Sequence, residues 1–412
     1  MAKETMVAGL DLGSTKIAAI IGEVTDDGNV KVIGVGCTPS NGLRKGIVIT
    51  LEDTVESIRN AITEAEHMAG LKVSSVVAGI AGDHIRSMES KGVIAVSGNE
   101  ITELDINRVI EQAKAVSIPA EREIIHALPQ EFIVDQQRGI KDPLGMSGVR
   151  LESTVHIVTG AVTSAKNIYK SIERAGLKVR DLVLQPLASS YAVLDPEETE
   201  LGVALIDIGG GTTDIAIFHE GSLKYTHVIG LGGVNLTNDI AIGLRTPRAH
   251  AEKIKLRYGC AMSSLVDDEE RIRVPSVGGR GEREVPRRLL CEIMEPRVEE
   301  IFSIAEREVR KTDYADLLAA GVVVTGGTAN LEGLAQLAET IFDLPVRTGI
   351  PGNISGLTDA VRNPIHATGV GLLLYAKKHM TDRFSKIGDG ASLWYGIWNR
   401  MKNWFSETFL IG

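Results

Sequence analysis

The sequence predicts an α/β protein built from two similar halves, each a mixed sheet covered by helices. Three observations carry this expectation. A short apolar strand ending in Asp-x-Gly occurs twice, at 6–13 and 201–209. Each copy continues through small hydroxylated residues into a second and a third apolar run, joined by glycine-containing turns. The chain of 412 residues is also longer than one hydrophobic core usually organises, so at least two domains are expected.

In the first copy, MVAGLDLG passes through Ser14-Thr15-Lys16 into IAAIIGEV, turns at Asp27-Gly28-Asn29 and enters KVIGVG. In the second, LGVALIDIG passes through Gly210-Gly211-Thr212-Thr213-Asp214 into IAIFHEG, turns at Glu220-Gly221-Ser222 and enters LKYTHVIG. Helical periodicity follows the first copy, with Thr50 as N-cap, Val55, Ile58, Ile62, Ala65 and Met68 on the apolar side, and Gly70 as the stop. A buried strand, VSSVVAGIA, comes next. The second copy repeats this order with a longer interruption before its closing strand, 321–325. Between the copies the pattern predicts a helix over 163–176, capped by Thr163 or Ser164 and closed by Gly176, then strand VRDLVLQ and helix PLASSYAV.

The totals exclude several classes. Forty-four lysines and arginines against 54 acidic residues leave a net charge of −10, which argues against sequence-independent binding to nucleic acid. Cys37, Cys260 and Cys291 are widely spaced and form no zinc pattern, so a reducing cytoplasm is expected. The first residues contain no export signal, and no apolar run approaches the roughly 20 residues needed to span a bilayer. Any membrane contact is therefore expected to be peripheral.

The two glycine hairpins suggest the chemistry. Gly13-Ser14-Thr15 and Gly209-Gly210-Gly211-Thr212-Thr213 would present backbone N–H groups with little side-chain bulk, so the pair could clasp a polyphosphate. Asp11 and Asp207 end their strands, where they could hold a hydrated magnesium ion, and Lys16 would add a cation. Either hairpin alone could be an ordinary tight turn. Both together, in matching halves, predict nucleotide binding, with ATP between the halves; a Walker-type motif is absent. Gly232 and Gly233, with Asn235 in the same segment, precede a helix whose first turn would accept an anion, and Gly326-Gly327 repeat the strand-glycine-helix order. Glu252 and Lys255 share a helical face, where they would hold ribose hydroxyls or form an ordinary ion pair.

The end of the chain differs from the rest. All three tryptophans lie within LWYGIWNRMKNWF, 393–405, although only 4% of residues are aromatic. At 100° per residue, Leu393, Trp394, Ile397, Trp398, Met401, Trp404 and Phe405 fall within an arc of about 140°, with Arg400 and Lys402 outside it. A terminal amphipathic helix can dock on its own protein or on a partner. Tryptophan, with an apolar ring and an N–H that stays hydrated at headgroups, favours a lipid surface. The polar, glycine-containing stretch 377–391 reads as a flexible linker.

These stretches resemble the superfamily of actin, heat-shock chaperones and sugar kinases. Across essentially the whole chain they resemble the FtsA family of bacterial cell-division proteins. The matching stretches are SNGLRKGIVI (40–49), GIKDPLGMSGVRLE (139–152) followed by VHIVTGA (155–161), DIGGGTTD (207–214), TGGTANLEGL (325–334) and the aromatic tail. The phosphate loops mark only the superfamily, whereas 139–152 and the tail are much more specific to the family.

The resemblance implies an actin-like, ribonuclease H-like, two-lobed ATPase fold with an inserted small subdomain and a C-terminal amphipathic helix. The implied division is subdomain 1A over 1–83, an inserted subdomain 1C over 84–161 and a return to 1A over 162–200. Subdomain 2A follows over 201–245, 2B over 246–295 and 2A again over 296–358. A final 1A helix over 359–376, the linker 377–391 and the membrane helix 392–412 complete it. In function, the resemblance implies an ATP-binding protein that polymerises with itself on the cytoplasmic side of the membrane. It would tether FtsZ filaments through their C-terminal peptide at the division septum and recruit later division proteins. Gln185 matches a position where related chaperones carry a glutamate that places the attacking water, so hydrolysis is expected to be slow or slight. Its plainer reading is a polar residue ending a strand. Residues 286–311 read as a helix with an apolar core face, and the resemblance places the FtsZ peptide contact there, at Arg297 and Glu300. A small-molecule kinase and a type IV pilus assembly platform are the alternatives on this fold; the tail and 139–152 favour division.

Overall fold

The computed structural model of the chain describes residues 6–277 and 281–386, with side chains to residue 379. The expected amphipathic helix, with Leu393, Trp394, Ile397, Trp398, Met401, Trp404 and Phe405, lies outside the described residues.

Lobe I opens with the antiparallel meander β1 (Met6–Leu12), β2 (Lys16–Val24) and β3 (Val30–Pro39). A small hairpin, β4 (Leu43–Arg44) and β5 (Ile47–Val48), leads to α1 (Leu51–Ala69) and β6 (Ser75–Ile80), which runs parallel to β1. Helix α1 buries Val55, Ile58, Ile62 and Ala65 and stops at Gly70, whose φ of 68° suits glycine. Thr50 occupies the N-cap, but its hydroxyl caps nothing.

The chain then forms the inserted subdomain from β7 (Arg86–Ala95), α2 (Glu103–Lys114), β8 (Arg122–Val134), β9 (Gln137–Ile140) and β10 (Arg150–Ala161). Its antiparallel sheet has the order β7-β10-β8-β9 and its own core around Ile101, Val109, Phe132 and Leu151. Lobe I resumes with α3 (Val162–Arg174), β11 (Lys178–Leu184) and α4 (Gln185–Val193). Helix α3 starts earlier than predicted. Ala161 is its N-cap, which leaves Thr163 and Ser164 inside the first turn with no capping bond.

A short α5 (Pro196–Leu201) enters lobe II, where β12 (Val203–Ile208), β13 (Thr213–His219) and β14 (Ser222–Ile229) repeat the meander. There follow α6 (Gly233–Gly243), α7 (Arg248–Tyr258), the hairpin β15 (Arg271–Val274) with β16 (Arg283–Pro286), and α8 (Arg287–Arg310). The lobe closes with β17 (Val322–Thr325), α9 (Leu334–Phe342) and β18 (Val346–Thr348). Strand β19 (Ile354–Gly356) returns to β3, and α10 (Thr358–Val361) and α11 (Ala367–Lys386) end the described chain on lobe I.

Two expected boundaries move. The one between 295 and 296 falls inside α8, which continues through Pro296. The final helix begins at Ala367, beyond the expected 359, and takes in 377–386 of the expected linker. That stretch is polar but contains no glycine or proline, so nothing in it stops the helix.

The two sheets, β11-β6-β1-β2-β3-β19 and β14-β13-β12-β17-β18, share one plan, a three-stranded meander with parallel strands added beside its first member. Strand alternation joins the lobes. Val203 and Leu205 of β12 enter the core of lobe I, together with α4 and α11, whereas Ala204, Ile206 and Ile208 face a second core with α6 and α8.

Candidate functional site

The two Asp-x-Gly hairpins meet between the lobes. In the first, the N–H of Gly13 donates to the Lys16 carbonyl at 3.0 Å and closes the turn. Asp11, 6% exposed at the end of β1, accepts from Lys16 Nζ at 3.0 Å and from Gln185 Nε2 at 3.2 Å. Gln185 also lies 3.4 Å from the Leu12 carbonyl. Its position at the start of α4 therefore places an amide, not a carboxylate, beside the first hairpin.

In the second hairpin, the N–H of Gly209 donates to the Thr212 carbonyl at 2.9 Å. Asp207 is buried and receives Ser189 Oγ at 2.7 Å, with Thr368 Oγ1 at 3.5 Å. Burial pushes its carboxyl up to about 6, and the charge of Asp11 adds to the shift. Thr213 Oγ1 donates to the Leu231 carbonyl at 2.9 Å, fixing the loop that leads to α6.

The tips touch. A Cβ on Gly210 would lie 2.5 Å from Thr15 Oγ1, and one on Gly211 would lie 2.6 Å from Ser14 Oγ. Gly326 follows β17 with φ 86°, and a Cβ there would lie 2.4 Å from Asp207 Oδ1. Only glycine fits these positions. Beyond it, Gly327 begins a 3-10 turn, Gly327–Asn330, so the expected direct passage from glycine into α-helix is interrupted.

The first turn of α6 behaves differently from the expectation. The N–H groups of Gly233 and Val234 donate to the carbonyls of Gly209 at 2.9 Å and Gly210 at 2.8 Å. The Gly232 N–H donates to Asn235 Oδ1 at 3.1 Å. Donors left over at a helix start take the nearest acceptors, and here these belong to the second hairpin. Glu252 and Lys255 form the ion pair, at 2.8 Å. Lys255 is 8% exposed and also donates to the Gly233 carbonyl and to Thr237 Oγ1, both at 2.9 Å, so it supports the α6 turn from behind.

Arg297 and Glu300 lie on another face of lobe II. They line a cavity of about 400 Å³ with Asp239, Ile242, Gly243, Ile293 and Pro296, between α6 and α8. Arg297 Nε donates to Asp239 Oδ2 at 2.7 Å, and its guanidinium also meets Glu300. Its charge is therefore shared between two carboxylates, a partner for it that its sequence position did not reveal.

Sequence reasoning assigned no role to Asp214. It is register partner to Asp207 across β12 and β13, and its Oδ1 is buried with no hydrogen-bond partner. Burial and Asp207 push its carboxyl far up. The signal was present, since an aspartate at the start of β13 must face the one ending β12 once the hairpin closes. Ser189 and Thr368, which hold Asp207, lie in helical stretches without any distinguishing pattern.

No three histidine, cysteine or acidic side chains converge as a metal cage among the described residues. No helix among them is long and apolar enough to cross a membrane.

Comparison with known proteins agrees with this architecture. Residues 204–371 match the family described as cell division protein FtsA, and 82–159 match the SHS2 domain inserted in FtsA. The chain is 50% identical to the cell division protein FtsA of Pseudomonas aeruginosa, covering 98% of both chains. It is 43% identical to that of Escherichia coli, again over 98% of both. Among solved structures it resembles a PilM-PilN type IV pilus biogenesis complex, with a TM-score of 0.65, 15% identity and coverage of 90% of this chain and 98% of that one. It also resembles MreB 5 of Spiroplasma citri bound to AMPPNP, with a TM-score of 0.55, 16% identity and coverage of 93% and 99%. At these identities the structural likenesses speak for the actin-like fold alone. The repeated lobes, the inserted subdomain and full-length identity to curated relatives together show that the chain belongs to the FtsA family of cell division proteins.

Proposed function

We propose that the chain binds ATP with magnesium between its lobes and works as a membrane-attached polymer that anchors FtsZ filaments at the division septum. The observation that carries the nucleotide reading is the meeting of two Asp-x-Gly hairpins, where Gly210 and Gly211 face Thr15 and Ser14 with no room for a Cβ. The residues fit the ligand. Gly13, Ser14, Thr15 and Gly209 to Thr213 would line the phosphates, with Lys16 as the nearby cation, while Gly232, Gly233, Asn235, Gly326 and Gly327 shape the nucleoside wall. Glu252 and Lys255 support that wall. Two carboxylates, Asp11 and Asp207, suit magnesium, which takes its remaining ligands from water and phosphate and neutralises phosphate charge. Asp207→Ala should reduce ATP affinity at least about 100-fold by calorimetry; an unchanged affinity in a folded variant would remove the assignment.

Gln185 can orient a water molecule but is a poor proton acceptor, so hydrolysis is slow. A neutral amide already engaged by Asp11 supports this.

The groove beside Arg297 and Glu300 is the site we assign to the FtsZ C-terminal peptide, on the family resemblance and on its mixed apolar and charged lining. A peptide carboxylate there competes with Asp239 for Arg297. Charge reversal at Arg297 or Glu300 should weaken peptide binding about tenfold or more while ATP affinity stays the same; equal peptide affinity in both variants would move the interface elsewhere.

The membrane contact rests on residues 392–412. A single short helix binds lipid weakly, so firm attachment requires many tails on one polymer, with avidity raised by about 10²–10⁴. Vesicle co-sedimentation should rise with ATP and protein concentration and vanish when 392–412 are deleted. Full binding after that deletion would refute the anchor. Recruitment of later division proteins to the polymer completes the reading.

A further inference from the structure

The inserted subdomain touches both lobes at their sheet edges. Strand β11 is an edge of the lobe I sheet and β14 an edge of the lobe II sheet. Strand β8 reaches both. His126, buried on β8, accepts the Leu184 N–H at 3.0 Å through Nε2. Leu184 ends β11 and precedes Gln185, so this bond fixes the start of the helix whose first side chain meets Asp11. Four residues along the same strand, Gln130, also buried, donates through Nε2 to the carbonyls of Leu223 at 3.1 Å and Lys224 at 3.0 Å on β14. Two neighbours strengthen the lobe II side. Ser87 Oγ donates to the Thr226 carbonyl at 2.9 Å, and His156 Nε2 lies 3.1 Å from Thr226 Oγ1.

These contacts are buried and directional, so a rotation of one lobe against the other must either break one set or carry the subdomain along. We propose that His126 and Gln130 are positioning residues for the two halves of the nucleotide site, and that the inserted subdomain is thereby coupled to lobe closure. His126 sets Gln185 on Asp11, and Gln130 sets the lobe II edge against it. The proposal rests on the nucleotide reading above for the identity of the ligand that closes the lobes, but the coupling itself does not depend on it. Reciprocity follows. Whatever binds the subdomain and favours one of its orientations changes nucleotide affinity by the same factor that the nucleotide changes its own.

The test is hydrogen exchange on the full chain, with the lobes held in two ways. One is Mg·ATP. The other is a reversible bridge, two disulfides to a short dithiol formed on oxidation, between Asn330→Cys and Asn363→Cys, whose side chains meet across the lobes at 3.0 Å and lie outside the residues assigned to the nucleotide. Oxidation of the lock should slow exchange across β8, at 184–186 and at 222–226 together, by about tenfold. In Gln130→Leu the lock should no longer protect β8 and 222–226, and in the milder Ser87→Ala about a third of the protection should be lost. His126→Leu should expose the Leu184 amide and weaken ATP binding about tenfold, with both restored in His126→Gln, which keeps an acceptor. A purely structural role would not show rescue by the acceptor. An oxidised lock that leaves β8 exchange unchanged, or a His126→Leu variant with parental ATP affinity, overturns the proposal. Protection by the lock in a chain that fails to bind ATP supports the coupling and defeats the nucleotide reading instead.

Discussion

Asp11 and Asp207 stand at matching places, one ending β1 and the other β12, yet their surroundings differ. Asp11 touches the ammonium of Lys16 and the amide of Gln185, whereas Asp207 touches only hydroxyls and sits opposite a second carboxyl, Asp214. Lobe I thus carries its own counter-charge. Lobe II does not, and its two acids are held toward their neutral forms by burial. A repeated fold has kept the backbone of both hairpins and divided the electrostatics between them, so that a cation arriving with a ligand has more to offset on the lobe II side.

Two substitutions break this contrast. Lys16→Met leaves Asp11 buried without its cation and should lower unfolding stability by ~3 kcal/mol in urea titration, an effect reversed by adding Asp11→Asn. An unchanged midpoint would mean that lobe I is not balanced by Lys16. The smaller effect has the opposite sign. The Asp207 carboxyl rises from 3.8 to about 6 in the folded chain, so the native state binds the extra proton between those values. Its contribution is present below pH 3.8 and is lost as pH climbs through 6. Asp207→Asn should therefore stabilise the ligand-free chain by ~2 kcal/mol at pH 7.5, with the advantage shrinking to nothing near pH 4. A constant difference across that range would show that Asp207 titrates normally.

Much of the plan was legible because it rests on short-range chemistry. The hairpins, α1 with its Gly70 stop, and strands β6, β11 and β17 follow from periodicity and turn residues read locally. What escaped depends on who meets whom in space. The α6 donors look free in sequence, but the second hairpin folds back and takes them. For Glu252 and Lys255 the ion pair was one of the two sequence readings, and what the sequence hides is that Thr237 and the Gly233 carbonyl also lie within reach of the lysine. Helix α11 outran its apolar stretch because polar residues without a breaker continue a helix already anchored by packing. Asp214 was visible but mute, since only closure of the β12–β13 pair shows that it is buried against another acid.

Helix α6 joins two places that the sequence treats separately. Its first N–H groups hold the carbonyls of Gly209 and Gly210, and its later residues Asp239, Ile242 and Gly243 line the groove beside Arg297. Its 11 residues make a rod of about 16 Å. Packed as a rigid lever, such a rod tilted by about 5° at the hairpin end moves its far end by about 1 Å, enough to separate a made hydrogen bond from a broken one. Helix α6 thus spans from the second hairpin to the Asp239–Arg297 contact, so one rigid element borders both places although the hairpin lines no part of the groove.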